Sequence, residues 1–412
     1  MRRVAITGMG VIAATGVNLG DFFGQLVEGR SGTRRIQNLP PPVVERLNCR
    51  IAAEVPGYRP TQHFTEKELD QLDRFSQFAI VAARQALADA GHEEFNPEQQ
   101  PRLGVCIGTA YGGTETLDTH YFSLYAGNAT RLPPLAIPRL MYNAAACQVS
   151  MRSQARGPCL TPTTACASGA HAIGEAFRFI QHGQAEWMLA GGSDAPITYG
   201  VIRGWEGMRV LAPENSEAAR ACRPFSRDRQ GIVIGEGAAV LLLENYETAR
   251  RRGARIYAEL VGYGANSDAS HITQPSVEGP ASAMRLALAD ARMNPEEIDY
   301  VNAHGTATRM NDVIETRALK QVFGERARRL PISSTKSMHG HVMGASGAIE
   351  LVATIEALHR GVIPPTANYT VPDPECDLDF VPNQAREQPL RAALSNAFAF
   401  GGMNAALVVK RV

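Results

Sequence analysis

AARQALADAGHEEFNPEQQPRLGVCIGTA, residues 82–110, and AMRLALADARMNPEEIDYVNAHGTA, residues 283–307, are two versions of one pattern. Each reads as an alanine-rich helix, a loop bearing proline, a short strand and a Gly-Thr-Ala turn. A second pair follows in the same order. TTACASGAHAIGEAF from Thr163 and GASGAIELVATI from Gly344 both place Ser-Gly-Ala at the start of a helix. Two matches in one order point to a duplicated chain, with chance likeness between alanine-rich helices as the competing explanation. The halves meet near the basic segment ARRRGAR, so the expected domains are 1–255 and 256–412. Strand-like runs at 3–7, 105–108, 187–190, 238–243, 258–261, 300–303 and 406–409 alternate with helical stretches at 74–90, 169–182, 281–291 and 348–360. That alternation predicts an α/β fold with helices covering sheets, and duplication predicts a site where the halves meet.

The 412 residues are 44% hydrophobic and carry 41 basic against 41 acidic side chains, so a large core is available and no global charge calls for nucleic acid or an anionic membrane. Seven cysteines, scattered and without C-x-x-C pairs, fit reduced thiols in the cytoplasm. The opening MRRVAITGMGVIAATG has the arginines of a signal peptide but not its unbroken apolar run or cleavage site, and it reads as a first strand. No stretch is long enough to span a bilayer.

GMGVIA (8–13) fits a dinucleotide fingerprint, but the strand and acidic residue that should follow are replaced by GQLVEGRSGTRRIQNLPPP, which reads as loop. Cys166 is the sharpest feature. In PTTACASGAHAIG it stands at the start of a helix, where the dipole favours a thiolate nucleophile and the backbone N–H is free to hold an oxyanion. The alternative is a small buried thiol acting as a hydrophobe, the role assigned to the other six cysteines. His304, in YVNAHGTATRMND, and His341, in SSTKSMHGHVMGASG, follow strand-like runs on glycine-flanked loops, where neutral imidazoles can polarise a carbonyl or move protons. A zinc site of His304, His339 and His341 competes with that assignment. Lys336 precedes His341 by five residues and Glu350 follows it by nine. Asp312 and Glu315 follow His304 at helical spacing, placed to pair with Lys336 or to cap the helix. In LSNAFAFGGMN, Phe398 and Phe400 precede a Gly-Gly turn, as core or as a movable gate.

Together TACASG, VNAHGTATRMND, SSTKSMHGHVMGASG and NAFAFGG resemble the β-ketoacyl-acyl carrier protein synthase family, nearest its type II elongating condensing enzymes. The resemblance runs from Val4 to Asn404. It implies a thiolase-like duplicated fold with five layers, α-β-α-β-α, usually in a dimer. It implies Cys166 as nucleophile, His304 and His341 as the catalytic histidines, and Lys336 and Glu350 as supporting charges. Phe400 would be the gate and, with Cys166, an oxyanion donor; Thr306 and Thr308 would touch the pantetheine arm.

The implied reaction has two stages. Cys166 takes an acyl group from an acyl carrier protein. Malonyl carrier protein then loses carbon dioxide while His304 and His341 stabilise the enolate, which attacks the acyl-Cys166 thioester and gives a 3-oxoacyl carrier protein. No metal or cofactor is required by this scheme, and neutral histidines predict a rate that falls at acid pH. The expected partners are acyl- and malonyl-loaded carrier protein and either a second copy or a chain-length-factor-like subunit, with no nucleic acid and no membrane. Three positions depart from the family. Tyr111 occupies an acyl-pocket position usually held by a smaller aliphatic residue, Met403 replaces a threonine in the gating loop, and His339 replaces the threonine of SMTGH. The SMHGH form is similar to that of nodulation-type and polyene-forming synthases, so fatty-acid elongation and a specialised polyketide or polyene role are both open. Arg131, Arg139 and Arg209 are candidate docking residues, since FTEKELDQLD is acidic like the carrier itself. A non-catalytic chain-length subunit would lack Cys166, a degradative thiolase would carry a second cysteine in the C-terminal glycine turn, and a priming synthase would have asparagine in place of His341.

Overall fold

The computed structural model describes residues 1–92, 94–213 and 216–412. Among them, ten strands form the main sheet: β1 (Val4–Ala13), β2 (Leu103–Gly108), β3 (Cys159–Leu160), β4 (Trp187–Asp194), β5 (Gly237–Asn245), β6 (Ala258–Ser267), β7 (Tyr300–Asn302), β8 (Ile332–Ser333), β9 (Ala392–Phe398) and β10 (Met403–Lys410). Their order is β8-β7-β9-β10-β6-β1-β5-β4-β2-β3. Outward from the centre, each side follows the same sequence of first, fifth, fourth, second and third strand. The directions agree too: the first two pairings on each side are antiparallel and the outer two parallel. At the centre β1 meets β6 antiparallel, Val4 opposite Leu260 and Ile6 opposite Ala258.

Six helices matter for the site: α1 (Arg74–Asp89), α2 (Ser168–Gln181), α3 (Tyr199–Met208), α4 (Glu278–Ala291), α5 (Arg309–Phe323) and α6 (Ser346–Arg360). Outside, α1 packs on β1 and β5, and α4 on β6 and β10; between the two halves of the sheet, α2 and α6 pack on each other and on strands of both halves. The result is the layering α-β-α-β-α. The central layer is largely apolar, with Ile173 and Phe177 of α2 and Ile349, Val352 and Ile355 of α6 almost wholly enclosed. Burial of each such side chain contributes about 1.5–3 kcal/mol.

Glycines set how closely the outer helices lie. A Cβ at Gly8 or Gly10 would stand 2.1 Å from the Ala86 carbonyl oxygen or 2.0 Å from that of Ala82. Gly262 and Gly264 meet Ala287 and Ala283 in the same way, at 2.2 and 2.1 Å. The glycines of GMGVIA are therefore the seat of α1, inside a strand, and not a phosphate loop. β1 and β6 run on through these glycines, past the ends of their β-branched portions. The stretch read as loop after GMGVIA begins inside a helix, Leu19–Val27, capped by Asn18. No helix among the described residues is long and apolar enough to cross a membrane.

Candidate active site

The two central helices begin alike. Before α2, Ala165 takes φ +48°; before α6, Met343 takes φ +45°. Both are left-handed conformations that residues with a Cβ seldom adopt and that surrounding structure must hold in place. Each opens a turn of 3₁₀ helix, Ala165–Ala167 and Met343–Ala345, followed by Ser168 or Ser346. Cys166 thus stands where the other half has Gly344.

The Cys166 sulfur lies 3.1 Å from His341 Nε2, and His341 Nδ1 lies 2.8 Å from the Ser346 hydroxyl. Across from it stands His304, the two rings nearly perpendicular at 86° with centroids 5.5 Å apart. Lys336 lies beneath, wholly buried and ion-paired with buried Glu350. Its ammonium donates to the His304 carbonyl at 2.6 Å and reaches His304 Nδ1 at 3.4 Å. An ammonium can only donate, so Nδ1 of His304 accepts and Nε2 carries the hydrogen. The Ser346 hydroxyl can fix His341 in the same tautomer. Both rings then offer an Nε2–H to the cavity that they line.

Glu315 and Asp312 do not pair with Lys336, whose partner is Glu350. Glu315 accepts the backbone N–H groups of His304 and Gly305, each at 2.8 Å, and the Asn396 amide at 3.2 Å. Asp312 accepts the Phe225 N–H at 2.8 Å and faces buried Arg229 at 3.5 Å. Arg229 in turn donates to the carbonyls of Thr308 and Arg309, at 3.1 and 3.0 Å. Both carboxylates therefore hold loops: Glu315 the one carrying His304, and Asp312 with Arg229 the one carrying Thr306 and Thr308. His339 turns its Nε2 to Thr335 Oγ1 at 3.0 Å instead of joining His304 and His341 around an ion.

Electrostatically the pair rests neutral. Burial pushes the Cys166 thiol up to about 12 against the pull of Lys336, so the resting thiolate expected from the helix start is not what this environment favours. Burial, and after it the Lys336 charge, holds His304 and His341 well below the ordinary histidine range. Burial also lowers His339, to about 3. Glu315 and Glu350 are pushed up to about 7 by burial, partly offset by their hydrogen-bond donors or the Lys336 charge.

A cavity of about 290 Å³ opens above this cluster, lined by Cys166, His304, His341, Thr306, Thr308 and Phe400 among others. Thr306 and Thr308 face each other, hydroxyl to hydroxyl, at 3.0 Å. The backbone N–H groups of Cys166 and Phe400 have no acceptor among the described residues, leaving two donors for an oxyanion. Neither Tyr111 nor Met403 lines this cavity. Trp205, absent from the sequence reading, lines it instead, with Tyr111 behind it, and Met403 begins β10 opposite Ser267. Asp194 was also missed: wholly buried at the end of β4, it accepts the N–H groups of Ala110, Tyr111 and Gly344 and the Thr109 hydroxyl, joining the halves. Burial pushes its carboxyl up to about 6. Three enclosed oxygens near the Lys336 and Glu315 networks, Asn302 Oδ1, Glu350 Oε2 and Asn396 Oδ1, have no donor among the described residues. Of the docking candidates, exposed Arg209 lies with exposed Arg309 in a recess that shares Val210, Thr308 and Met310 with the cavity, whereas Arg139 is half-buried and Arg131 lies outside that recess.

A duplicated five-layer fold with a buried cysteine flanked by two neutral histidines at the junction of its halves defines a condensing acyltransferase. Residues 1–249 match the family described as Beta-ketoacyl synthase, N-terminal domain, and residues 257–370 match its C-terminal domain. The chain belongs to the β-ketoacyl synthase family. It is 46% identical over 411 residues to Nodulation protein E of Rhizobium sp. (strain N33), covering 100% of both chains. It is 42% identical over 412 residues to 3-oxoacyl-[acyl-carrier-protein] synthase 2 of Staphylococcus aureus (strain COL), covering 100% of this chain and 98% of that one. Among solved structures, it is similar to the ishigamide ketosynthase/chain length factor, with a TM-score of 0.92 at 36% identity over 100% of this chain and 99% of that chain.

Proposed function

We propose that this chain is a 3-oxoacyl-[acyl carrier protein] synthase in which Cys166 carries the growing acyl group. The observation that carries the reading is Cys166 Sγ at 3.1 Å from His341 Nε2, with His304 opposite and both rings lining one cavity. The thiol attacks the thioester of an acyl carrier protein and gives its proton to the departing pantetheine thiolate, while the N–H groups of Cys166 and Phe400 hold the oxyanion. Malonyl carrier protein then presents its carbonyl to the Nε2–H groups of His304 and His341. Those donors stabilise the enolate formed as carbon dioxide leaves, and the carbanion attacks acyl-Cys166. Lys336 and Glu350 hold the tautomer of His304, and Glu315 and Asp312 hold the loops. Thr306 and Thr308 take the pantetheine arm, with Met403 behind the gate. Arg209, at the mouth, is the docking residue for the acidic carrier protein. The 1–255 half supplies the nucleophile and the 256–412 half the histidines.

The working assembly in this reading is a dimer in the cytoplasm, with a second copy or with a chain-length-factor-like subunit. It is supported by the apolar side chains exposed on one stretch and on the edge strand β3, including Phe122, Tyr125, Ile137, Tyr142 and Leu160. The test is intact-protein mass spectrometry after incubation with acyl carrier proteins. Wild type should gain one acyl group and Cys166→Ala none; an adduct of equal yield on Cys166→Ala would defeat the assignment.

A further inference from the structure

The turn at Gly344 is the counterpart of the turn at Cys166, and the two differ in what their N–H groups meet. Gly344 donates to Asp194 Oδ2 at 2.7 Å, and Ala110 donates to the same oxygen at 2.9 Å. Two backbone donors thus converge on one anionic oxygen, the arrangement that the free N–H groups of Cys166 and Phe400 offer to an oxyanion in the catalytic half. Each turn is also met by the opposite half. Phe400 lies just past β9, the fourth strand of its half, and Asp194 ends β4, the fourth strand of the other. Gly192 lets β4 approach, since a Cβ there would stand 2.9 Å from Ala345 Cα.

The other carboxylate oxygen, Oδ1, accepts the Thr109 hydroxyl at 2.6 Å and the Tyr111 N–H at 3.1 Å. Asp194 is wholly enclosed, and these four partners are neutral donors, one for each lone-pair site of the carboxylate. Buried charges are usually paired with an opposite charge, whereas four neutral donors aimed at one group are the makings of an anion site. The turn held in this way serves the reaction. It joins His341 to Ser346, whose hydroxyl lies 2.8 Å from His341 Nδ1, and it passes through Met343 at φ +45°, a conformation that its surroundings must hold.

We propose that the second half keeps the oxyanion hole of a site without a nucleophile, that the Asp194 carboxylate is its permanent anion, and that Asp194 is thereby a positioning residue for His341. It acts through Gly344 and Ser346 and touches neither substrate nor the reacting atoms. The proposal rests on the acyl-Cys166 reading above and adds to it the group that sets the orientation of one enolate donor.

The test measures carbon dioxide release from malonyl carrier protein and acyl loading of Cys166 for wild type, Asp194→Asn, Ser346→Ala and the double variant. Asparagine keeps the shape of the side chain but turns an amide N–H₂ toward two of the four donors. Release should fall about ten-fold more than loading, the effect of one hydrogen bond to a charged group. The double variant should lose no more than the weaker of the two single ones, because both act through the orientation of His341. Asp194→Gly tests the anion site itself, since it leaves room for a small carboxylate. Sodium formate should raise the unfolding temperature of Asp194→Gly and recover its carbon dioxide release, while sodium chloride at equal ionic strength should do neither and wild type should not respond to formate. A purely structural role would lower both rates together and be blind to formate. Equal loss in the two assays for Asp194→Asn, or no effect of formate on Asp194→Gly, overturns the proposal. Should these variants fail to fold, Thr109→Val, which removes one donor from the carboxylate, should lower release relative to loading about five-fold, and an unchanged ratio overturns the proposal equally. If wild type itself takes an acyl group from no donor, the acyl-Cys166 reading falls and the positioning role with it; if wild type loads and the ratio does not move in the variants, the positioning role alone falls.

Discussion

Acidification separates buried histidines from ordinary ones. An imidazole with the ordinary pKa of about 6.5 is about one-tenth neutral near pH 5.5, so a reaction needing two such rings neutral would fall about a hundred-fold from its plateau. His304 and His341 are both held well below that range, by burial first and by the Lys336 charge second. Glu350, pushed up to about 7, takes a proton within the same interval. That leaves the Lys336 charge less compensated beside His304 and keeps the ring neutral more firmly. The acid fall expected from the sequence is therefore displaced to lower pH. Carbon dioxide release from malonyl carrier protein should stay within about three-fold between about pH 7.5 and 5.5. The assay is the initial rate of release at constant ionic strength, with near-ultraviolet circular dichroism at each pH to show that the fold persists. A fall of about a hundred-fold with a midpoint near 6.5, in protein whose dichroism is unchanged, would refute the reasoning.

His341→Ala removes both the contact to Cys166 and one enolate donor, so carbon dioxide release should fall about 10²–10³-fold and acyl loading by less; equal loss in the two assays would argue against separate roles. Lys336→Met leaves Glu350 buried without its partner and should cost about 3–5 kcal/mol of stability in denaturant unfolding. Because the Glu350 carboxyl is raised, it sheds its charge as pH falls, and the loss should be smaller near pH 6 than near pH 8; a loss independent of pH would contradict the pairing. Gly344→Ala places a Cβ 2.5 Å from the Ala110 nitrogen and 2.7 Å from Asp194 Oδ2, and should lower stability by about 1–3 kcal/mol, measured by thermal unfolding.

The duplication was legible because each half repeats a helix, a strand and a turn with enough residues to show a period. The two-residue strands β3 and β8 were not, since two residues display no alternation and owe their place to parallel neighbours. Cys166, His304, His341, Lys336 and Glu350 sit in dense motifs, and the structure brings all five together. Ser346 was within reach of the repeat, as the counterpart of Ser168. Asp194 and Trp205 carry no local signal: an acid at a strand end and an aromatic on a short helix are ordinary in isolation, and their partners lie 150 and 94 residues away. The proposed low pKa of Cys166 followed from its helix start alone. How much water the rest of the fold excludes from the thiol could be judged only with the other half in place.

β1 has to wait for the rest of the chain. All ten of its residues are buried, yet among the described residues its partner strands are β5, from Gly237, and the start of β6. More than half of the chain must be made before either neighbour exists, and at ordinary synthesis rates of about 5–20 residues per second that is a delay of about 10–50 s. Throughout it VAITGMGVIA is an uncharged apolar segment with no sheet to join, the kind of segment that holding chaperones bind and that aggregates when they are scarce. Its insertion closes contacts of very long sequence separation, so the seam between the two halves is expected to be the last part of the molecule to form and the step that sets its yield.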